Sequence, residues 1–332
     1  MKRFVGNFQP LFAAGILLVV LLLPLLGLTP NVIRILFITF VWITASLAWN
    51  LLGGVAGQVS FGFAVFYGLG AYAAALMINA GVNPALSFVG SAAVAALASF
   101  LIGIPTFRLR GPYFAIATIG VSEAVRVVMN NISAVGGAGG LRVTERGIFR
   151  QTEHYYAGLA IAVLAVCVSL LVERSKFGLA LRAIRQDEDA AADVGINPFR
   201  CKLWIHAIAA ALTGVAGGVF ADYAAYIHPQ GVFAFSTSVT ILLMPVIGGI
   251  GTIWGAVLGA AVVTIVEEQL VAVFPQVHLL LYGLLLMLIV LLEPDGLVGL
   301  LRRILRRMHV DPSSRGPDKA LWGRGRLEGR EL

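Results

Sequence analysis

This chain carries little charge. Only 12% of its 332 residues are Asp, Glu, Lys or Arg, while 59% are hydrophobic. Soluble domains carry about 25% charged residues. A water-soluble fold of this length has no way to hide so much apolar surface, which makes lipid the expected solvent. Cysteine is scarce. Cys167 sits in an apolar run and Cys201 in a basic loop, with neither metal spacing nor a shared compartment, so two free thiols are expected. The histidines (His154, His206, His228, His278, His309) are scattered, with no ligand-type pair. No metal site is expected. A G-x-x-x-x-G-K-[ST] phosphate loop is also missing, since Lys2, Lys176, Lys202 and Lys319 follow no such glycine pattern. Gly249-x-Gly251 approaches a dinucleotide turn, but Trp254 stands where the third glycine belongs. No nucleophile, base and metal ligands cluster at membrane depth. Catalytic residues are therefore not expected, and an integral-membrane enzyme is disfavoured.

The charge that is present is basic, +7 overall. It collects beside apolar runs, as at Arg302, Arg303, Arg306 and Arg307 after the last one. That is the pattern of membrane orientation and anionic headgroups, not of a nucleic-acid groove.

A spanning helix needs about 20 mostly apolar residues. The sequence predicts an all-α polytopic membrane protein of about ten spans, some broken or short. They lie near 11–29, 33–52, 60–79, 85–105, 112–130, 155–172, 203–225, 237–250, 252–272 and 277–293. The first is longer than a signal-peptide core and lacks an A-x-A-like site after Leu28, so it reads as retained. Lys2 and Arg3, Arg108 and Arg110, the basic loop at 173–202 and the final arginines all fall on one side of a ten-span layout. The positive-inside rule makes that side cytoplasmic, with both termini there. Residues 131–154, with Arg142, Arg146 and Arg150, oppose this, partly offset by Glu145 and Glu153. Residues 1–301 are read as one transmembrane domain. Residues 302–332, polar and rich in Gly, Pro and Arg, are read as a disordered cytoplasmic tail.

Two glycine-rich stretches echo each other, "LLGGVAGQVSFG" from Leu51 and "VIGGIGTIWGAVLG" from Val246. Transporters are often built from repeats with broken helices at matching positions; coincidence is the other reading.

The loop holds "DEDAAADVGI", residues 187–196. Asp187 suits an N-cap, and Glu188 and Asp189 suit the first turn. The alanines favour helix, Gly195 suits the C′ position and Pro198 follows. A helix of about two turns is marginal alone in water, so something must hold it. Ala190, Ala191 and Val194 offer a small, smooth face. Docking into a groove and packing on its own bundle both fit. "FGLALRAIR" upstream supplies a second short helix with a basic face.

Other residues carry paired readings. Gly214 with Gly218, and Gly251 with Gly255 and Gly259, have the spacing that lets helix backbones approach closely in lipid, either within the chain or against a partner. Gln58, Ser60 and Gly62 stand at the mouth of the third span. There a broken helix either frees amides for a carboxylate or simply satisfies its own backbone. Glu123 and Arg126, one turn apart, either neutralise each other or line a path. Asp222, Glu267 and Glu268 are expected near wet span ends, and "GGAGG" at 136–140 is either an outer docking loop or a linker.

Asp189-Ala190-Ala191-Ala192-Asp193-Val194-Gly195 resembles the EAA loop of ABC importer permeases, with Asp for the usual Glu. The pattern's further I-x-L-P becomes Ile205-His206-Ala207-Ile208, so only the isoleucine survives. From about residue 30 to 300 the chain resembles LivM-type permease subunits of branched-chain amino acid importers. The resemblance is carried by "SLAWNLLGGVAGQVSFGFAVFYGLGAYAAALM", "GPYFAIATIGVSEAVRVV", "SKFGLALRAIRQDEDAAADVGINPFRCKLWIHAIAAALTGVAGG" and "GGIGTIWGAVLGA". It implies a bacterial inner-membrane location, a LivH-like second permease and two ATPase subunits holding ATP and Mg. A periplasmic or surface binding protein would deliver Leu, Ile or Val. It also implies a coupling helix at Asp189, Ala190, Ala191, Val194 and Gly195. A urea, amide or other small-solute permease, and an ion-coupled secondary transporter, are the alternatives.

Overall fold

In this computed structural model the described residues are 19–27, 29–143 and 150–274, with short pieces between 276 and 303. Half of the expected first span, most of the tenth and the tail beyond Arg303 lie outside them.

Proline and asparagine punctuate the helices. Pro30, Pro84, Pro112 and Pro198 open α1 (Pro30–Trp49), α3 (Pro84–Thr106), α4 (Pro112–Asn131) and α8 (Pro198–Ala224). A helix has no use for an amide proton at its first position. Asn83 Oδ1 accepts from Ala85 N at 3.0 Å and Asn197 Oδ1 from Arg200 N at 3.0 Å, capping two of these starts. Between them run α2 (Phe63–Asn79), α5 (Gln151–Arg174), α6 (Lys176–Gln186) and α7 (Glu188–Asp193). After α8 come α9 (Pro229–Val232), α10 (Phe235–Gly249) and α11 (Ile253–Val273). Seven helical stretches among the described residues are long and apolar enough to cross a membrane, and α2 is a shorter eighth. The chain is a polytopic helical membrane protein.

α1 and α8 form the buried centre, while α3 and α4 leave most of their length exposed. Glycine makes the centre possible. A methyl group on Gly214 would lie 2.5 Å from Ala95 Cβ of α3, and one on Gly70 of α2 would lie 2.1 Å from Gly214 O. Gly218 faces Ser91 of α3, whose hydroxyl donates to Gly70 O at 2.8 Å. Three backbones thus meet at close range. α10 and α11 pack the same way, with Gly248 against Gly255 and Gly259.

Four details depart from the expected elements. The third span begins at Phe63, not near 60. A π-helical turn, Asn50–Val55, widens the end of α1, and the chain then leaves the helix through Gly57, at φ +74°. Gly251 does not lie on the ninth span. It occupies a left-handed turn at φ +79°, and α11 starts only at Ile253. A short ladder interrupts the all-α plan: β1 (Leu141–Arg142) pairs antiparallel with β2 (Tyr226–Ile227). "GGAGG" is a folded turn. Gly136, Gly137 and Gly140 take positive φ, and Tyr226 Oη donates to Gly139 O at 2.8 Å.

The ladder marks one end of the bundle. At the other end gather α6, α7 and the turns at 56–62, 107–111 and 250–252.

Candidate functional site

α6 and α7 form an elbow. Ser175 Oγ accepts from Gly178 N at 3.1 Å to start α6. Asp187 sits extended between the helices, and its Oδ1 accepts from Asp189 N at 2.9 Å and Ala190 N at 3.0 Å. Gly195, at φ +89°, closes α7. Ile196 N donates to Ala191 O at 3.1 Å and Gly195 N to Ala192 O at 2.9 Å, the Schellman pattern. Both ends of a six-residue helix are therefore satisfied locally.

Two ion pairs link α7 to the body, one buried and one exposed. Glu188 pairs with Lys202 of α8, whose side chain is only 1% exposed. Burying that ammonium is tolerable because a carboxylate meets it. Asp189 pairs with Arg110 at 3.0 Å, both largely exposed; the hydrogen bond raises the guanidinium above its ordinary value. The outward surface of α7 carries Asp189, Ala190 and Val194, the last 77% exposed. Ala191 is a correction to the expected smooth face. It turns inward and is buried, so only Ala190 and Val194 of that trio are free to meet another surface.

Beside the elbow, the two echoing glycine stretches touch. Asn50 Oδ1 accepts from Gly251 N at 2.8 Å, and Asn50 Nδ2 donates to Thr252 O at 3.2 Å. Ser46 Oγ donates to Ala256 O at 2.9 Å. A methyl on Gly54 would lie 2.6 Å from Gly251 N. Arg185 of α6 donates to Gly54 O.

Three amides at the mouth of α2 are taken up by hydroxyls of the chain itself. Phe61 N donates to Thr118 Oγ1 at 3.0 Å, Gly62 N to Ser60 Oγ at 3.2 Å and Ala64 N to Ser238 Oγ at 2.9 Å. Ser60 and Gly62 are buried and Gln58 half-buried. Irregular backbone at this depth is tolerated where protein groups replace water. Here hydroxyls from the re-entrant segment itself, α4 and α10 do so.

Glu123 and Arg126 do meet. Arg126 Nε donates to Glu123 Oε2 at 2.9 Å, and the guanidinium also reaches Gln230 of α9. Glu123 remains half-exposed. Glu268 pairs with Arg34 at 2.7 Å, and Asp222 faces His154 at 3.6 Å; neither acid simply sits in water. Arg185, Asn50 and Lys202 escaped the sequence reading. Arg185 and Lys202 look there like any other basic residues of the loop.

Comparison with known proteins identifies the family. The family model described as "Branched-chain amino acid transport system / permease component" matches residues 31–290. The chain is 31% identical to the high-affinity branched-chain amino acid transport system permease protein LivM of Salmonella typhimurium, over 90% of this chain and 77% of that protein. It is 30% identical to LivM of Escherichia coli K12 over the same shares. It is 24% identical to the E. coli permease protein LivH, over 76% of this chain and 90% of that one. No solved structure matches. With its glycine-packed helices and capped elbow, the chain belongs to the family of permease components of branched-chain amino acid transport systems.

Proposed function

We propose that this chain is the LivM-type transmembrane subunit of an ATP-binding cassette importer for Leu, Ile and Val in a bacterial inner membrane. The observation that carries the proposal is α7, a short helix capped at both ends, anchored from behind and presenting Asp189, Ala190 and Val194 outward. A helix too short to stand alone is held ready for a partner. That partner is an ATPase subunit, one of two that hold ATP and Mg. A binding protein delivers the solute from the opposite side.

The elbow end is cytoplasmic in this reading. Arg108, Arg110, Arg174, Lys176, Arg182, Arg185, Arg200 and Lys202 gather there. At the ladder end Arg150 is neutralised by Glu153 at 2.6 Å and Arg34 by Glu268. Counted with the expected first and tenth spans, which lie partly and mostly outside the described residues, ten spans leave both termini, and the tail from 302, in the cytoplasm.

The second permease is LivH-like, on a related scaffold. α4 faces it across the solute path. The exposed side of α3 shows only apolar groups such as Leu86, Val89, Leu97 and Leu101, suited to lipid. The exposed side of α4 shows Ile116, Gly120, Glu123 and Val127, and a half-exposed carboxylate is costly against acyl chains. Glu123 and Arg126 therefore border the path. Gln58, Ser60 and Gly62 shape its inner end without binding solute.

Reconstituted vesicles test this reading. Uptake is expected to require ATP, both ATPases and the loaded binding protein. Uptake driven by a proton gradient without ATPase subunits contradicts it.

A further inference from the structure

Arg185 stands where three segments meet. Its stem lies along Gly57: a methyl there would sit 2.8 Å from Arg185 Cγ. Its guanidinium donates to Gly54 O, at the π-widened end of α1. The same Nη1 would lie 2.8 Å from a methyl on Gly251, in the α10–α11 turn. Gly57 and Gly251 both hold left-handed backbone, at φ +74° and +79°. A side chain at either would be strained as well as displaced by the arginine. Asn50 then ties the α1 end to the α10–α11 turn with two hydrogen bonds. The two turns form one unit, and α6 touches that unit through Arg185.

α6 is joined to α7 through one residue that caps both. Asp187 is the single residue between them, and its side chain caps α7 while its amide donates to Ala183 O of α6 at 3.1 Å. The buried face of α6, with Leu181 and Ile184, keeps it seated. A displacement of α7 therefore reaches Arg185 through one short helix. Arg182, one turn earlier, donates to Glu173 O at 3.0 Å, within its own hairpin.

We infer that Arg185 is the positioning residue through which the α6–α7 elbow moves the paired turns at 54–57 and 250–252, which close the elbow end of the solute path. This inference rests on the reading that α7 docks on an ATPase. Arg185 touches neither nucleotide nor solute. It transmits motion through a planar, multi-donor head that lysine does not reproduce.

The test uses the complete importer in vesicles, with both permeases, both ATPases and leucine-loaded binding protein. The readout is leucine transported per ATP hydrolysed. Arg185→Met keeps the stem over Gly57 and removes the donor. It is expected to lower the ratio by about tenfold, while the loaded binding protein loses its stimulation of hydrolysis. Arg185→Lys is expected to recover part of the ratio. If Arg185→Met fails to assemble, Arg185→Gln and Arg185→Lys carry the same measurement. A wild-type ratio in the assembled Met or Gln variant overturns the inference. So does a ratio that stays normal while uptake and hydrolysis fall together, the mark of a merely structural residue. The underlying reading fails separately, if wild-type complex transports without any contact between α7 and an ATPase.

Discussion

Lys202 shows how one side chain in this chain commands energy. Its ammonium is buried and Glu188 is its counter-charge. Removing one partner of such a pair costs about 3–5 kcal/mol, whereas replacing both by apolar groups is often neutral. Glu188→Ala should therefore lower the melting temperature of the detergent-purified subunit clearly, and Glu188→Ala with Lys202→Met should restore most of it. An unchanged melting temperature in the single variant contradicts the buried pair. The Asp189–Arg110 pair is exposed on both sides, so it contributes little to stability. Its loss should be felt only if Asp189 meets a partner. Asp189→Lys is accordingly expected to leave membrane insertion intact and to cut ATP-driven uptake, measured against the amount of protein on immunoblot. Single residues were legible in the sequence where the chemistry is local. Glu123 and Arg126 meet because one helical turn separates them, and Asp187 and Gly195 cap α7 as their residue types suggest. Asn50 was not legible, because its two bonds reach residues some 200 positions away.

Among the elements, glycine decides both the close contacts and the breaks, and the sequence did not separate these uses. Gly255 and Gly259 pack α11 on α10, whereas Gly251, at the same spacing, turns the chain. Four-residue spacing reports a helix face only if the helix has already begun, and Thr252 Oγ1, accepting from Gly255 N at 3.1 Å, starts α11 after Gly251. Gly255→Leu would place its first side-chain carbon 2.4 Å from Gly249 O. The two helices must then separate, at a cost of about 1–3 kcal/mol or more. The expected outcome is loss of the assembled complex on a native gel, and an intact, active complex contradicts it. Gly195→Leu meets open space but left-handed backbone. It should fray α7 without unfolding the bundle, so uptake should fall while the melting temperature barely moves. The third span's late start is explained the same way: backbone at 56–62 is satisfied by Trp49, Thr118 and Ser60 side chains and backbone, partners that local pattern does not reveal.

The whole molecule is a bundle with two unlike ends. One end carries the β1–β2 ladder, the folded glycine turn and the paired Arg34 and Arg150; the other carries the elbow, the paired turns and most of the basic residues of the described segments. Composition alone implied the membrane, and the apolar runs implied most of the described helices. The contact between the two echoing stretches emerged only in three dimensions, because an even-handed glycine count says nothing of which turns meet. If the elbow end is cytoplasmic, a reporter fused after Leu332 should be inaccessible from outside intact cells, and labelling of that reporter by an impermeant reagent contradicts the orientation. The central claim is that α7 lodges in an ATPase subunit and passes its motion inward. Val194→Cys, in the turn that ends α7 and 77% exposed, in an importer whose ATPase carries cysteines around its receiving cleft, tests it most directly. Disulfide formation between the two subunits, with uptake arrested until a reductant is added, is the expected result. Absence of any crosslink in a complex that still transports leucine would contradict it.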